Sequence, residues 1–207
     1  MIEILHRGGP MMIPIILGSI IAIAIVIERL IHLHREHIDT EKFMAGIKNI
    51  IKKGNIVEVV AICESTPGPV AKILKEGMLY HDLTKEEMRE AMDEVAMYEV
   101  PLLEKNLTIL ATIAYIEPLL GLLGTVTGMI NSFMKIEQFQ GFVNTGDLAA
   151  GIWEALITTA AGLTIAIPAY VAYNYLVSRI EGFVREIDKC TSQLIGYMYR
   201  GEDDTNR

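Results

Sequence analysis

The sequence predicts an all-α integral membrane protein with three transmembrane helices. Three observations carry that expectation. Of 207 residues, 51% are hydrophobic and only 7% aromatic, with a mean hydropathy of +0.35. The apolar residues are clumped into three stretches, each long enough to cross ~30 Å of hydrocarbon, which takes ~20 helical residues. No strand-like alternation of any length interrupts the helical pattern.

Span one is read as 11–32, uncharged from Met11 to Ile27. Its leader, 1–10, has only Arg7 as a basic residue, and no small-x-small cleavage site follows the apolar core, so a retained span is expected rather than a signal peptide. Span two is read as 107–134 and span three as 148–178, joined by a short loop, 135–147. Between spans one and two lies a polar block, 33–106, and a charged tail, 179–207, follows span three.

Lys and Arg near the span ends set orientation. One (Arg7) precedes span one and one (Lys135) lies between spans two and three, whereas the 33–106 block holds ten and the tail five. The amino terminus and the 135–147 loop are therefore expected outside, and the block and tail in the cytoplasm. A net charge of −8 gives no support for nucleic-acid binding. Cys63 and Cys190 both fall on the reducing side and are expected as free thiols.

The polar block carries helix punctuation. A helix from about Glu41 to Lys53 stops at Gly54. Asn55 with Glu58, and Thr84 with Glu87, read as capping boxes. Ser65 to Pro69 is a turn, and a helix follows from about Val70 to Tyr80. The helix opened by Thr84 has no clear stop before span two, so one long helix is expected, kinked at Pro101. Span three is expected to overrun the membrane to about Met198 and to pack with it as a stalk.

Glu154 stands alone in the apolar run of span three. A carboxylate inside a membrane span costs roughly 2.5–3.5 kcal/mol on insertion scales and marks an ion path, a proton relay or a buried partner. Burial disfavours the charged form of a carboxyl. A proton-loading group and a permanently protonated structural acid both remain open at this point. In span two, Gly124 and Gly128 form a GxxxG, preceded by Gly121, and Gly162 in span three is a further packing glycine. Thr125, Gly128 and Ser132 share a helical face. Thr125 precedes Lys135 by ten residues (~15 Å) and Glu154 follows Asp147 by seven (~10 Å), so the two are expected at similar depth. Glu117, beside Pro118, is nearer the cytoplasmic end and reads as a membrane-boundary residue or the wall of a vestibule. His32, His34 and His37 read as juxtamembrane residues rather than metal ligands. Neither a nucleophile elbow nor a cofactor motif is visible, so no enzyme is expected.

The segment from Pro118 to Ile130 resembles the span-two signature of the MotA/TolQ/ExbB proton-channel family. Ile152 to Gly162, with Ala166-Ile167-Pro168-Ala169 and Tyr173-Asn174, resembles its span-three signature. The three-span topology is similar to the ExbB/TolQ branch over essentially the whole chain. The resemblance implies that Glu154 is the pore carboxylate, Thr125 the span-two pore threonine and Thr159 the threonine that accompanies the glutamate. It also implies a homo-oligomer, a ring of five, in the bacterial inner membrane. A dimeric, single-span ExbD/TolR-like partner with an intramembrane Asp would sit inside the ring, and a TonB- or TolA-like transducer would receive the work. The translocated ion would be H⁺, with Na⁺ open, and no cofactor is implied. One charge crossing 100 mV releases about 2.3 kcal/mol, so several ions would drive a mechanical stroke. Glu154 and Thr159 lie ~140° apart around a helix, whereas Thr158 is closer to the Glu154 face. Which threonine faces the pore stays open. Glu117 departs from the family pattern, where an uncharged small residue is common. A non-conducting membrane scaffold is the alternative reading, and it leaves Glu154 unexplained.

Overall fold

A computed structural model describes residues 8–138 and 145–199. Every regular element among them is an α-helix. In chain order these are α1 (Met12–Arg35), α2 (Thr40–Ile51), α3 (Ile56–Ser65), α4 (Pro69–Leu79), α5 (Lys85–Leu103), α6 (Leu107–Gln138) and α7 (Thr145–Met198). Three of the helical stretches are long and apolar enough to cross a membrane. The first seven residues, part of the expected external loop (139–144) and the end of the tail (200–207) lie outside the described residues.

The chain forms two compact units. One comprises Met1–Glu28 with Asn106–Leu176, the other Arg29–Lys105 with Val177–Arg207. The first holds most of α1, all of α6 and the first half of α7. Its outer surface is apolar. Leu17 and Ile20 on α1, Leu119 and Phe133 on α6, and Leu156 and Ile167 on α7 are all exposed. Such a surface suits lipid rather than water.

The interior of this unit is a seam between α6 and α7. The buried residues of α6 are Leu107, Leu110, Ala114, Glu117, Gly121, Gly124, Gly128 and Ser132. They are spaced by three and four residues, the repeat that keeps one stripe of a helix facing its neighbour. On α7 the matching stripe is Ala155, Thr158, Gly162, Ala166 and Ala169. Small residues let the backbones approach closely, as apolar surroundings require where burial from water supplies no drive. A Cβ on Gly128 would lie 3.0 Å from the Gly151 carbonyl oxygen, and one on Gly121 2.9 Å from the Thr159 Cα.

The second unit is a helical cluster with an ordinary large-residue core. Met44, Ile47, Ile73, Leu74, Met88 and Met92 are buried with Ile187, Leu194 and Ile195 from the end of α7. Gly77 allows the α4–α5 contact, because a Cβ there would meet the Met92 sulfur at 2.5 Å. Asp39 caps α2, accepting from the Lys42 amide at 3.1 Å. The helix ends at Ile51 with Lys52 as its cap, two residues before the expected Lys53, so Gly54, at φ +74°, closes the following turn one position beyond C′. Asn55 caps α3 through the Glu58 amide, while Glu58 returns to the Asn55 side-chain amide at 2.8 Å rather than to its backbone. Pro69 starts α4. Thr84 and Glu87 form the reciprocal capping box of α5. Cys63 and Cys190 are free and buried. His32 lies beside Glu36, and His37 packs edge-on against Phe183.

One sequence expectation meets a different arrangement. The helix opened by Thr84 does not run unbroken into span two. It carries Pro101 inside its last turn, ends at Leu103, and α6 begins afresh at Leu107. Asn106 sits between them at φ 64°, a left-handed conformation that Asn tolerates better than most residues. Its side-chain amide donates to Glu28 at 3.1 Å, which holds the break. Conversely, α7 is one helix of 54 residues, covering span three and its overrun to Met198.

Candidate functional site

Glu154 projects from α7 next to the α6–α7 seam and is half-buried. Its neighbour Ala155 is inside the seam, so the carboxylate emerges at the edge of the packed stripe. The carboxylate lies directly against Gly9, which has φ +65° and sits in the turn leading into α1. Any side chain at position 9 would overlap the Glu154 oxygens, and positive φ adds a second reason for glycine there. Gly8 is packed on Met12 and Ile157. The Gly8-Gly9 turn is the feature that the sequence reading missed. Two consecutive glycines before Pro10 were the visible signal.

The three threonines divide by role. Thr158 is 1% exposed, and its methyl and hydroxyl rest on Gly124. Its hydroxyl donates within α7, to the Ala155 carbonyl at 2.8 Å. Thr159 is half-buried and donates across the seam, to the Gly121 carbonyl of α6 at 2.9 Å. Thr125 is half-buried at the seam's edge and donates to the Leu122 carbonyl of its own helix at 2.6 Å. Ser132, at the other end of the seam, donates to the Gly128 carbonyl and packs on Gly151. Within the chain the hydroxyls therefore serve helix packing, and Thr159 alone of these links α6 to α7.

The register follows simple antiparallel counting. Gly124 meets Thr158, and Gly128 meets Ala155 and Gly151. Thr125 is thus level with Thr158, and Glu154 lies about one turn away, ~6 Å along the axis. Counting from Lys135 and Asp147 places Glu154 ~5 Å nearer the connecting loop than Thr125, and the helix contacts place it ~6 Å nearer, so the expected similarity of depth holds to within about one turn. Glu117 does not line an opening within the chain. It is 1% exposed, with its carboxylate against Gly18 of α1 and its carbonyl under Gly162 of α7. Its place in the three-and-four spaced stripe turns it inward.

These features define a class: a polytopic helical membrane protein with one carboxylate at the edge of a small-residue seam. Residues 65–189 match the model of the MotA/TolQ/ExbB proton channel family, and the chain belongs to that family. It is a transport and channel family rather than an enzymatic one. Among similar proteins, ExbB-like 1 of Synechocystis sp. is 31% identical, covering 83% of this chain and 68% of that protein. ExbB-like 3 of the same organism is 28% identical over 81% of this chain and 80% of its own length. The biopolymer transport protein ExbB of Neisseria meningitidis is 26% identical over 92% of this chain and 93% of its own length.

Proposed function

We propose that this protein is the ring-forming subunit of an ion-driven motor in the bacterial inner membrane. The unit built from α1, α6 and the first half of α7 lies in the bilayer, with the amino terminus and the loop after α6 on the periplasmic side. The helical unit formed by 29–105 and the end of α7 lies in the cytoplasm. Five copies form a ring around the single helices of an ExbD/TolR-like partner that carries an intramembrane Asp. Protons, or Na⁺, pass by way of Glu154, and the work goes to a TonB- or TolA-like transducer serving the transport of biopolymers or outer-membrane integrity.

The observation that carries this reading is the position of Glu154. It is the one ionisable carboxyl of α7 between Leu148 and Arg179, and it is half-buried rather than sealed into the protomer's seam. A carboxyl at that edge is available to a neighbouring chain, whereas a purely structural acid would be expected inside the packing. The half-exposed Thr125 and the exposed apolar faces of α6 and α7 supply further surface for such neighbours.

The test is ion flux in liposomes holding this protein and the one-span, Asp-bearing partner. Glu154→Gln and Glu154→Ala are expected to reduce flux to that of partner-free liposomes, with the assembly intact by size measurement. Full flux in both variants sinks the pore role of Glu154. Partner binding with no flux in the unaltered protein favours a scaffold instead.

A further inference from the structure

We propose that the Glu117 carboxyl is a second proton-binding site of this subunit, inside one protomer where α1, α6 and α7 meet, and separate from Glu154.

The carboxyl is enclosed by its own chain. Glu117 is 1% exposed, and its Oε2 is buried without a hydrogen-bond partner. Gly18 of α1 forms the floor: the absence of a side chain there is what makes room for Oε1. Gly162 of α7 closes over the Glu117 backbone. Because Gly162 meets both the Glu117 carbonyl and Gly121, Glu117 is level with about residue 164 of α7. That is some ten residues from Glu154, or ~15 Å along the helix.

None of the elements packed against it brings a cation to its level. From Met12 to Ile27 of α1 there is no titratable side chain, and none from Ala155 to Ala169 of α7; Arg29 lies eleven residues beyond Gly18, ~16 Å along α1. The titratable side chains nearest along α6 and α7 are the exposed Tyr115 and Tyr170, which stack edge-on with each other at 6.0 Å. Glu28 lies ten residues beyond Gly18, ~15 Å along α1, and accepts from Asn106. An ionised Glu117 would thus be a buried charge with no counter-charge, whereas the neutral acid fits the notch. A metal cation is a poor occupant, because glycines supply no further side-chain oxygens and hard cations need several.

A neutral acid that loses its proton only when water reaches it links proton release to the seating of α1, through Gly18, on Glu117 of α6. The site would release its proton as α1 parts from α6 and reload as the helices close. This inference rests on the reading of this unit as membrane-embedded, and not on any role of Glu154 in flux.

The experiment is pH-difference infrared spectroscopy of the full-length protein, assembled with its partner in lipid. A carboxylic-acid carbonyl band is expected that titrates between about pH 5 and about pH 9. It should persist in Glu154→Gln and vanish in Glu117→Gln. Glu117→Asp, which keeps an acid but displaces the band, provides the assignment should the Gln variant fail to assemble. Gly18→Ala, by forcing α1 away from the carboxyl, should move the titration toward lower pH, as for a hydrated carboxyl. The proposal is overturned if no Glu117 band appears at any pH in that range, or if the band does not change across it. Unchanged flux in Glu154→Gln would instead count against the pore reading and leave this result standing.

Discussion

Gly124 and Thr158 form a tight side-chain fit in the α6–α7 seam, and their coupling can be measured. A methyl at position 124 would press on the Thr158 Cβ at 2.6 Å. Overpacking of this kind typically costs about 1–3 kcal/mol. Gly124→Ala is therefore expected to lower the thermal unfolding temperature of the purified protein, and Thr158→Ala in the same chain, which removes the crowding hydroxyl and methyl but keeps the Cβ, to restore part of it. Additive losses in the double variant would show that the two residues do not share a contact. Thr159→Val removes the bond to the Gly121 carbonyl and should cost about 1 kcal/mol. Thr125→Val, which gives up only a bond within α6, should leave the unfolding temperature nearly unchanged. At this scale Glu154 was legible because a lone charge in an apolar run stands out. Its contact with Gly9 was not, because apolar periodicity carries no register between α1 and α7. The inward direction of Glu117 was legible in principle, since it lies four residues before Gly121 and seven before Gly124.

Helix starts were the most readable elements. Thr84 accepts from the Glu87 amide at 3.3 Å, and Glu87 accepts from both the Thr84 amide and hydroxyl. The Thr84 backbone bond, then its hydroxyl, holds the Glu87 carboxyl below its ordinary value. The folded value is depressed, so this contribution is present above the unfolded value of about 4.3 and is lost as pH falls through the folded one. Thr84→Ala is expected to destabilise by about 1 kcal/mol near neutral pH and by less in acid. Denaturant unfolding at two pH values checks this. An equal loss at both would exclude the Glu87 half of the box. The break at 104–106 was not readable. Pro101 signalled a disturbance, but the stop depends on Asn106 adopting φ 64° and binding Glu28, 78 positions earlier.

Over the whole chain, α7 carries one buried stripe with two characters. From Ala155 to Ala169 it is built of small residues, and from Leu176 through Phe183 and Ile187 to Leu194 of large ones. The first half packs by close backbone approach in an apolar surrounding. The second gains from removing apolar area from water. Cys63 and Cys190 report on that second half. Burial pushes each thiol up to about 11. Since the folded value is raised, their contribution to stability is present below the unfolded value of about 8.5 and is lost as pH rises toward 11. Both thiols should therefore react with a maleimide only as fast as the helical unit opens, and mild denaturant should expose them together. Fast labelling of either in the folded protein at neutral pH would contradict the packed core.

The sequence by itself determined the three spans, the caps at Asn55 and Thr84, the long overrun of α7 and the isolation of Glu154. Each of these is local in the chain, set by periodicity, punctuation or a charge out of place. Tertiary structure decided which hydroxyl crosses the seam, how α6 and α7 are registered, and what covers each of the two carboxyls. Those depend on contacts between residues as far apart as Gly9 and Glu154, or Gly18 and Glu117. In an all-helical membrane unit every backbone bond is satisfied within its own helix. The order along one helix therefore carries no instruction for sliding it against the next, and only the fit of glycine to threonine and carboxylate provides one.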